Sequence, residues 1–168
     1  MNTGVDVFDT TFQETNRWLK ELMERLGTYD RHHAYSILRA VLHALRDRIG
    51  PANAVHLGAQ LPMLIRGLYY EGWHMGTPTK ERHEAEFVAH VVRELRRADE
   101  AEVKEGIRAV FELLTKKLDL GEAVKVAGVL PKDLCELWPE SILEAVQRKQ
   151  PVLLEHAGPP RAQGLPFY

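Results

Sequence analysis

Apolar residues recur at helical rather than strand spacing along nearly the whole chain. In 12–27, Phe12, Trp18, Leu19, Leu22, Met23 and Leu26 form one stripe, and Gly27 closes it. Asp30 follows as an N-cap, its carboxylate placed to accept from the first free N–H groups of the next turn. The second helix runs to Ile49. Leu38, Val41, Leu42, Leu45 and Ile49 share one face, with Arg39, His43, Arg46 and Asp47 largely opposite. Gly50-Pro51 ends it and opens a short third helix over 52–60, proline taking the first helical position. Leu61-Pro62 then turns the chain into a fourth helix that reaches Tyr70, with Pro62 expected in its first turn.

The same scheme returns 69 positions later. Arg39-Ala40-Val41 falls on Arg108-Ala109-Val110, Leu45 on Leu114, Ala54-Val55 on Ala123-Val124, Leu61-Pro62 on Leu130-Pro131, Leu68 on Leu137 and Glu71 on Glu140. Apolar swaps such as Ile49/Leu118, Leu57/Val126, Ile65/Leu134 and Tyr69/Trp138 fill much of the remainder. The second copy opens on the stripe Phe87, Val88, Val91, Val92 and Leu95, with Asp99 in the capping place of Asp30. Ile107, Val110, Phe111, Leu114 and Leu118 form its next stripe, and Asp119-Leu120-Gly121 replaces the Gly-Pro corner. A last helix over 140–149 presents Ile142, Leu143 and Val146. The segment 72–79 and the Pro/Gly-rich tail 151–168 read as unstructured.

These patterns predict an all-α fold without strands. Two pseudo-symmetric four-helix units, about 12–71 and 81–140, pack as one helical domain over 1–150, with a C-terminal helix and a flexible tail over 151–168. Positions kept by both copies are expected to be packing; positions that differ are where function is sought.

Composition narrows the class. With 45% hydrophobic and 27% charged residues the chain is an ordinary globular protein, long enough at 168 residues to bury roughly 70% of its unfolded surface. A net charge of −2 with interspersed signs argues against a nucleic-acid partner. The single Cys135 excludes an internal disulfide and any multi-cysteine zinc cluster. No apolar run reaches the ~20 residues needed to span a bilayer, and the acidic start is unlike a signal peptide, so no membrane partner and a cytoplasmic location are expected.

The block His56-Leu57-Gly58-Ala59-Gln60-Leu61-Pro62, followed by Gly67-Leu68-Tyr69-Tyr70-Glu71-Gly72-Trp73, resembles the bacterial family catalogued as domain of unknown function 2267. Val129-Leu130-Pro131 with Leu137-Trp138-Pro139 strengthens the likeness, which covers roughly 9–140. The resemblance implies a small all-helical protein with no assigned activity and no catalytic residues to carry over.

Eight histidines raise the question of a metal. His83, Glu86 and His90, at i, i+3 and i+7, lie along one helix face, but that face is centred away from the Phe87/Val91 stripe and points to solvent. His32 and His33 precede a helix and read as surface residues. His43 and His56 align with Glu112 and Lys125, which marks both as solvent positions. Ser36 and Ser141 sit in no nucleophile motif, Cys135 aligns with Arg66, and no phosphate loop or dinucleotide fingerprint is present.

The candidate that remains is specific to the first copy. Tyr69-Tyr70-Glu71-Gly72-Trp73-His74-Met75 sets three aromatics beside a loop; Tyr69 aligns with Trp138 and belongs to the core, whereas Tyr70, Trp73, His74 and Met75 have no counterpart. Rigid amphipathic aromatics of this kind are enriched at binding hot spots. The expected function is a non-enzymatic binding protein acting on a protein partner through Tyr70, Glu71, Trp73, His74 and Met75, without a cofactor and with homo-oligomerisation left open. The alternatives are that Tyr70 and Trp73 only seal the joint between the copies, or that the chain is an enzyme or metal or cofactor carrier using His74, His83, Glu86 and His90.

Overall fold

A computed structural model describes residues 2–75, 83–96 and 98–155, with side chains described as far as 149. Among the described residues the chain is all-α: α1 (Asp6–Leu26), α2 (Arg31–Arg48), α3 (Pro51–Ala59), α4 (Met63–Tyr70), α5 (Glu84–Leu95), α6 (Glu100–Lys117), α7 (Leu120–Gly128), α8 (Lys132–Cys135) and α9 (Glu140–Glu155). The residues 151–155, expected to open a flexible tail, continue α9; 156–168 lie outside the described residues, as does 76–82 of the expected linker.

The punctuation of the sequence fixes the helix ends. Gly27 closes α1 in the left-handed conformation at φ 67, and Asp30 caps α2 by accepting from His33 N–H at 3.1 Å. Pro51 occupies the first turn of α3 as expected. Pro62 and Pro131 do not: each stands at the N-cap of its helix, one residue outside it, at φ −54 and −55. There the ring removes no needed N–H, and the two carbonyls accept the first helical bonds, from Arg66 N–H at 2.7 Å and from Cys135 N–H at 2.8 Å. Leu61 and Leu130, just before them, are both buried.

The centre of the molecule is α2. It packs against α1, α3, α4, α5 and α6 and is buried from Ala34 to Arg46 on almost every side. Its approach to α6 is close at Gly106, where an added Cβ would lie 3.1 Å from Ile37 Cγ2. α6 in turn carries Phe111, which stacks on Trp138 at 4.5 Å and meets Phe87 of α5 at 6.2 Å. α7 and α9 close the far side. Phe12 departs from its expected place in the core: α1 is buried at Thr11, Trp18, Leu19 and Leu22, while Phe8 and Phe12 in its first turns stay 47% and 38% exposed.

Candidate functional site

The aromatic run at the end of α4 folds back on α3. Tyr69 is fully buried and its hydroxyl donates to the Ala54 carbonyl at 2.8 Å; burial, with Tyr70 beside it, pushes the phenol well above its ordinary range. The Tyr70 ring lies over Gly58 of α3, reaching toward the Val55 carbonyl at 3.5 Å, and stacks on Trp73 at 5.6 Å and 23°. Both Tyr70 and Trp73 are half-buried against the core. Glu71, His74 and Met75 are exposed. At a shift of 69 positions Gly58 and Tyr70 align with Ala127 and Pro139, residues that offer no equivalent ring seat.

A mutation tests the seat. Alanine at helical position 58 should gain about 1 kcal/mol of helix propensity over glycine. Here its methyl would overlap the Tyr70 ring. Gly58→Ala is therefore expected to cost about 1–3 kcal/mol, and adding Tyr70→Ala should recover much of the loss. Urea unfolding of the single and double variants measures it; a stabilising Gly58→Ala would show that the ring is not seated there.

Cationic side chains hold α4 at both ends. Arg66 donates to the carbonyls of Gly58 (2.8 Å), Ala59 (3.1 Å) and Leu61 (2.8 Å), satisfying the end of α3. Arg46, 5% exposed, donates to the carbonyls of Tyr69 (2.7 Å) and Glu71 (3.0 Å). His43, expected at a solvent position, is 3% exposed, because α4 and α5 cover the polar face of α2. Its Nε2 faces the Leu68 carbonyl at 2.6 Å and its Nδ1 faces Glu94 Oε1 at 3.2 Å. Each ring nitrogen thus faces an oxygen, one on α4 and one on α5. Burial works against the ionised form of Glu94, but hydrogen bonds with His43 and His90, and the charges of His43 and Arg39, outweigh it and hold its carboxyl down at about 2.

The histidine face of α5 does not form a ligand set. His83 is 74% exposed near Asp133, and Glu86 turns back to accept from the His83 N–H at 3.2 Å. His90, expected toward solvent, is instead 15% exposed and faces Asp47 at 3.9 Å and Glu94 at 3.8 Å, because α5 rests on α2. His74 is exposed at the far end of the aromatic segment. Among the described residues no group of three or more His, Cys, Asp or Glu is placed to hold a metal ion. Burial, with Glu136 nearby, pushes the half-buried Cys135 thiol up, away from the thiolate a nucleophile needs.

One feature was not legible as a motif. Phe8, Phe12, Met63, Leu64, Gly67 and Leu68, with Thr11, Thr15, Tyr35 and Glu71, line an apolar groove of about 580 Å³ between α1 and α4. Met63 and Leu64 are 47% and 42% exposed. At the shift of 69 positions Met63, Leu64 and Gly67 align with Lys132, Asp133 and Glu136. The positions aligned with these three groove-wall residues are thus all charged, whereas partly buried Leu68 aligns with Leu137.

Among the described residues the protein is all-helical, with an apolar groove between α1 and α4 beside a half-buried aromatic segment. The chain belongs to the family described as Uncharacterized conserved protein (DUF2267), whose model matches residues 15–137. No curated protein matches the sequence. No helix among the described residues is long and apolar enough to cross a membrane.

Proposed function

We propose that this chain is a non-enzymatic binding protein and that its binding surface is the groove between α1 and α4, with Glu71 of the aromatic segment at one end. The observation that carries the reading is the contrast between the copies. Exposed Met63 and Leu64 stand where the repeat tolerates Lys132 and Asp133, so the helix does not need apolar residues there for packing. Exposed apolar side chains gathered into a groove, rather than scattered singly, mark interaction sites. The shape is that of a helix-binding groove, in which a partner segment lays its own apolar face between two helices. Tyr70, seated on Gly58 of α3 and stacked on Trp73, is half-buried at the end of α4, while Glu71, His74 and Met75 stay exposed.

Affinity capture from cells that natively express the protein, with three forms of the full chain, tests the reading. Phe8→Ser with Phe12→Ser should abolish capture of a partner and shift the unfolding midpoint little, since both rings are about half exposed. Tyr70→Ala with Trp73→Ala should lower stability and reduce capture only in proportion to the folded fraction. Capture that survives the Phe8/Phe12 changes but is lost in the folded fraction of the Tyr70/Trp73 variant would move the site to the aromatic segment.

A further inference from the structure

We infer that the groove receives a basic amphipathic helix of a partner protein; the inference rests on the groove reading above and adds the chemistry of the occupant. Size comes first. Two phenylalanines, a methionine and a leucine, each less than half exposed, offer roughly a few hundred Å² of apolar surface. A stable dimer buries about 800 Å² on each partner, so a second copy of this chain would need most of its interface elsewhere. A single helix, about 10 Å across, needs no more than the groove provides.

Charge then selects the kind of helix. Of the residues that line the groove, Glu71 alone is charged. On the α4 wall the one cation, Arg66, is turned back onto the carbonyls of Gly58, Ala59 and Leu61 and gives its charge to the end of α3. At the end of the groove, Glu71 also lines an adjoining polar cavity of about 390 Å³ with Tyr35, Ser36, Arg39 and Glu94. There Arg39 spans Glu71 and Glu94, at 3.5 Å from each, so one guanidinium faces two carboxylates. Glu94 is further engaged by His43 and His90, whereas Glu71 is 64% exposed and its contact with Arg39 is of the long, solvated kind that contributes little. Glu71 is thus the carboxylate that an incoming cation can take. An apolar floor with a carboxylate at its end and no lining cation complements an apolar helix face flanked by lysine or arginine, and disfavours the acidic alternative.

Two fluorescent peptides of about 15 residues, four helical turns, serve as probes. One carries leucine along a single helical face and lysine elsewhere; the other replaces every lysine by glutamate. Fluorescence anisotropy with the full chain at about 0.1 M salt should show the Leu/Lys peptide binding about tenfold or more tighter, with the preference shrinking as salt rises. Glu71→Lys should cut that preference several-fold, and Phe8→Ser with Phe12→Ser should weaken binding of the Leu/Lys peptide. Equal affinity for the two peptides, a preference for Leu/Glu, or Leu/Lys binding untouched by the phenylalanine changes would each overturn the inference. If the phenylalanine changes abolish capture of the natural partner while neither peptide binds, the groove stands as the binding surface and the basic helix falls. If they leave capture intact, the groove reading itself has failed.

Discussion

Glu94→Ala is expected to remove about 3 kcal/mol of stability, the lower end of the range for breaking a buried ion pair, because Glu94 keeps a quarter of its side chain exposed. The loss comes less from the missing carboxylate than from what stays behind. His43, 3% exposed between α2, α4 and α5, would keep the Leu68 carbonyl on one nitrogen and have no acceptor for the other. Urea unfolding near neutral pH measures the difference, and a change under about 1 kcal/mol would show that the pair is solvated.

The same pair sets an acid limit. Folding lowers the Glu94 carboxyl from 4.5 to about 2, so between those values the folded state binds fewer protons than the unfolded chain. Its contribution is complete above about pH 4.5, declines as the pH falls toward 2, and is absent below; the shift corresponds to roughly 3 kcal/mol. Other carboxylates titrate in the same window, so the informative quantity is the gap between the wild-type chain and Glu94→Gln. That gap should narrow from pH 5 to pH 2. Parallel curves would mean that Glu94 does not titrate with folding.

Phe111→Ala should cost about 3–5 kcal/mol, a large part of the 5–15 kcal/mol that holds a typical domain together. The ring is fully buried, stacked on Trp138 and tilted against Phe87, so its removal opens a cavity where α5, α6 and the turn after α8 meet. Ring pairs of this geometry add about 1 kcal/mol beyond burial. Equilibrium unfolding checks the value; a loss below about 1 kcal/mol would mean that the neighbours collapse into the space.

Helix identity and order were readable because their signals are local. Gly27, Asp30 and Gly50-Pro51 act within one turn of where they stand, and the stripes of α2 and α6 repeat at helical spacing. His43 was misread because its partners are remote: Leu68 and Glu94 lie 25 and 51 positions away, and periodicity assigns a face without naming what covers it. Alignment with Glu112 misled further, since that residue pairs with Arg25 of α1 near the surface while its counterpart is enclosed by α4 and α5. His90 went wrong for the same reason. Phe12 failed in the opposite sense: it belongs to the apolar stripe, but little of α1 ahead of Trp18 is covered. The groove that results has no sequence signature of its own. It emerges from setting Met63 and Leu64 beside Lys132 and Asp133 once their exposure is known.

The side chains that hold α4 have a kinetic and entropic consequence. A helix of eight residues is well below the length that persists alone in water, so α4 owes its form to its surroundings. Arg66 ties its start to α3, and His43 and Arg46 tie its last carbonyls to α2. The groove wall is therefore preorganised before anything arrives. For a partner segment bound as proposed, most of the ordering entropy would fall on that segment rather than on this chain. Loosening either tie would then shift that entropy onto this chain and weaken the proposed binding without altering a single contact residue.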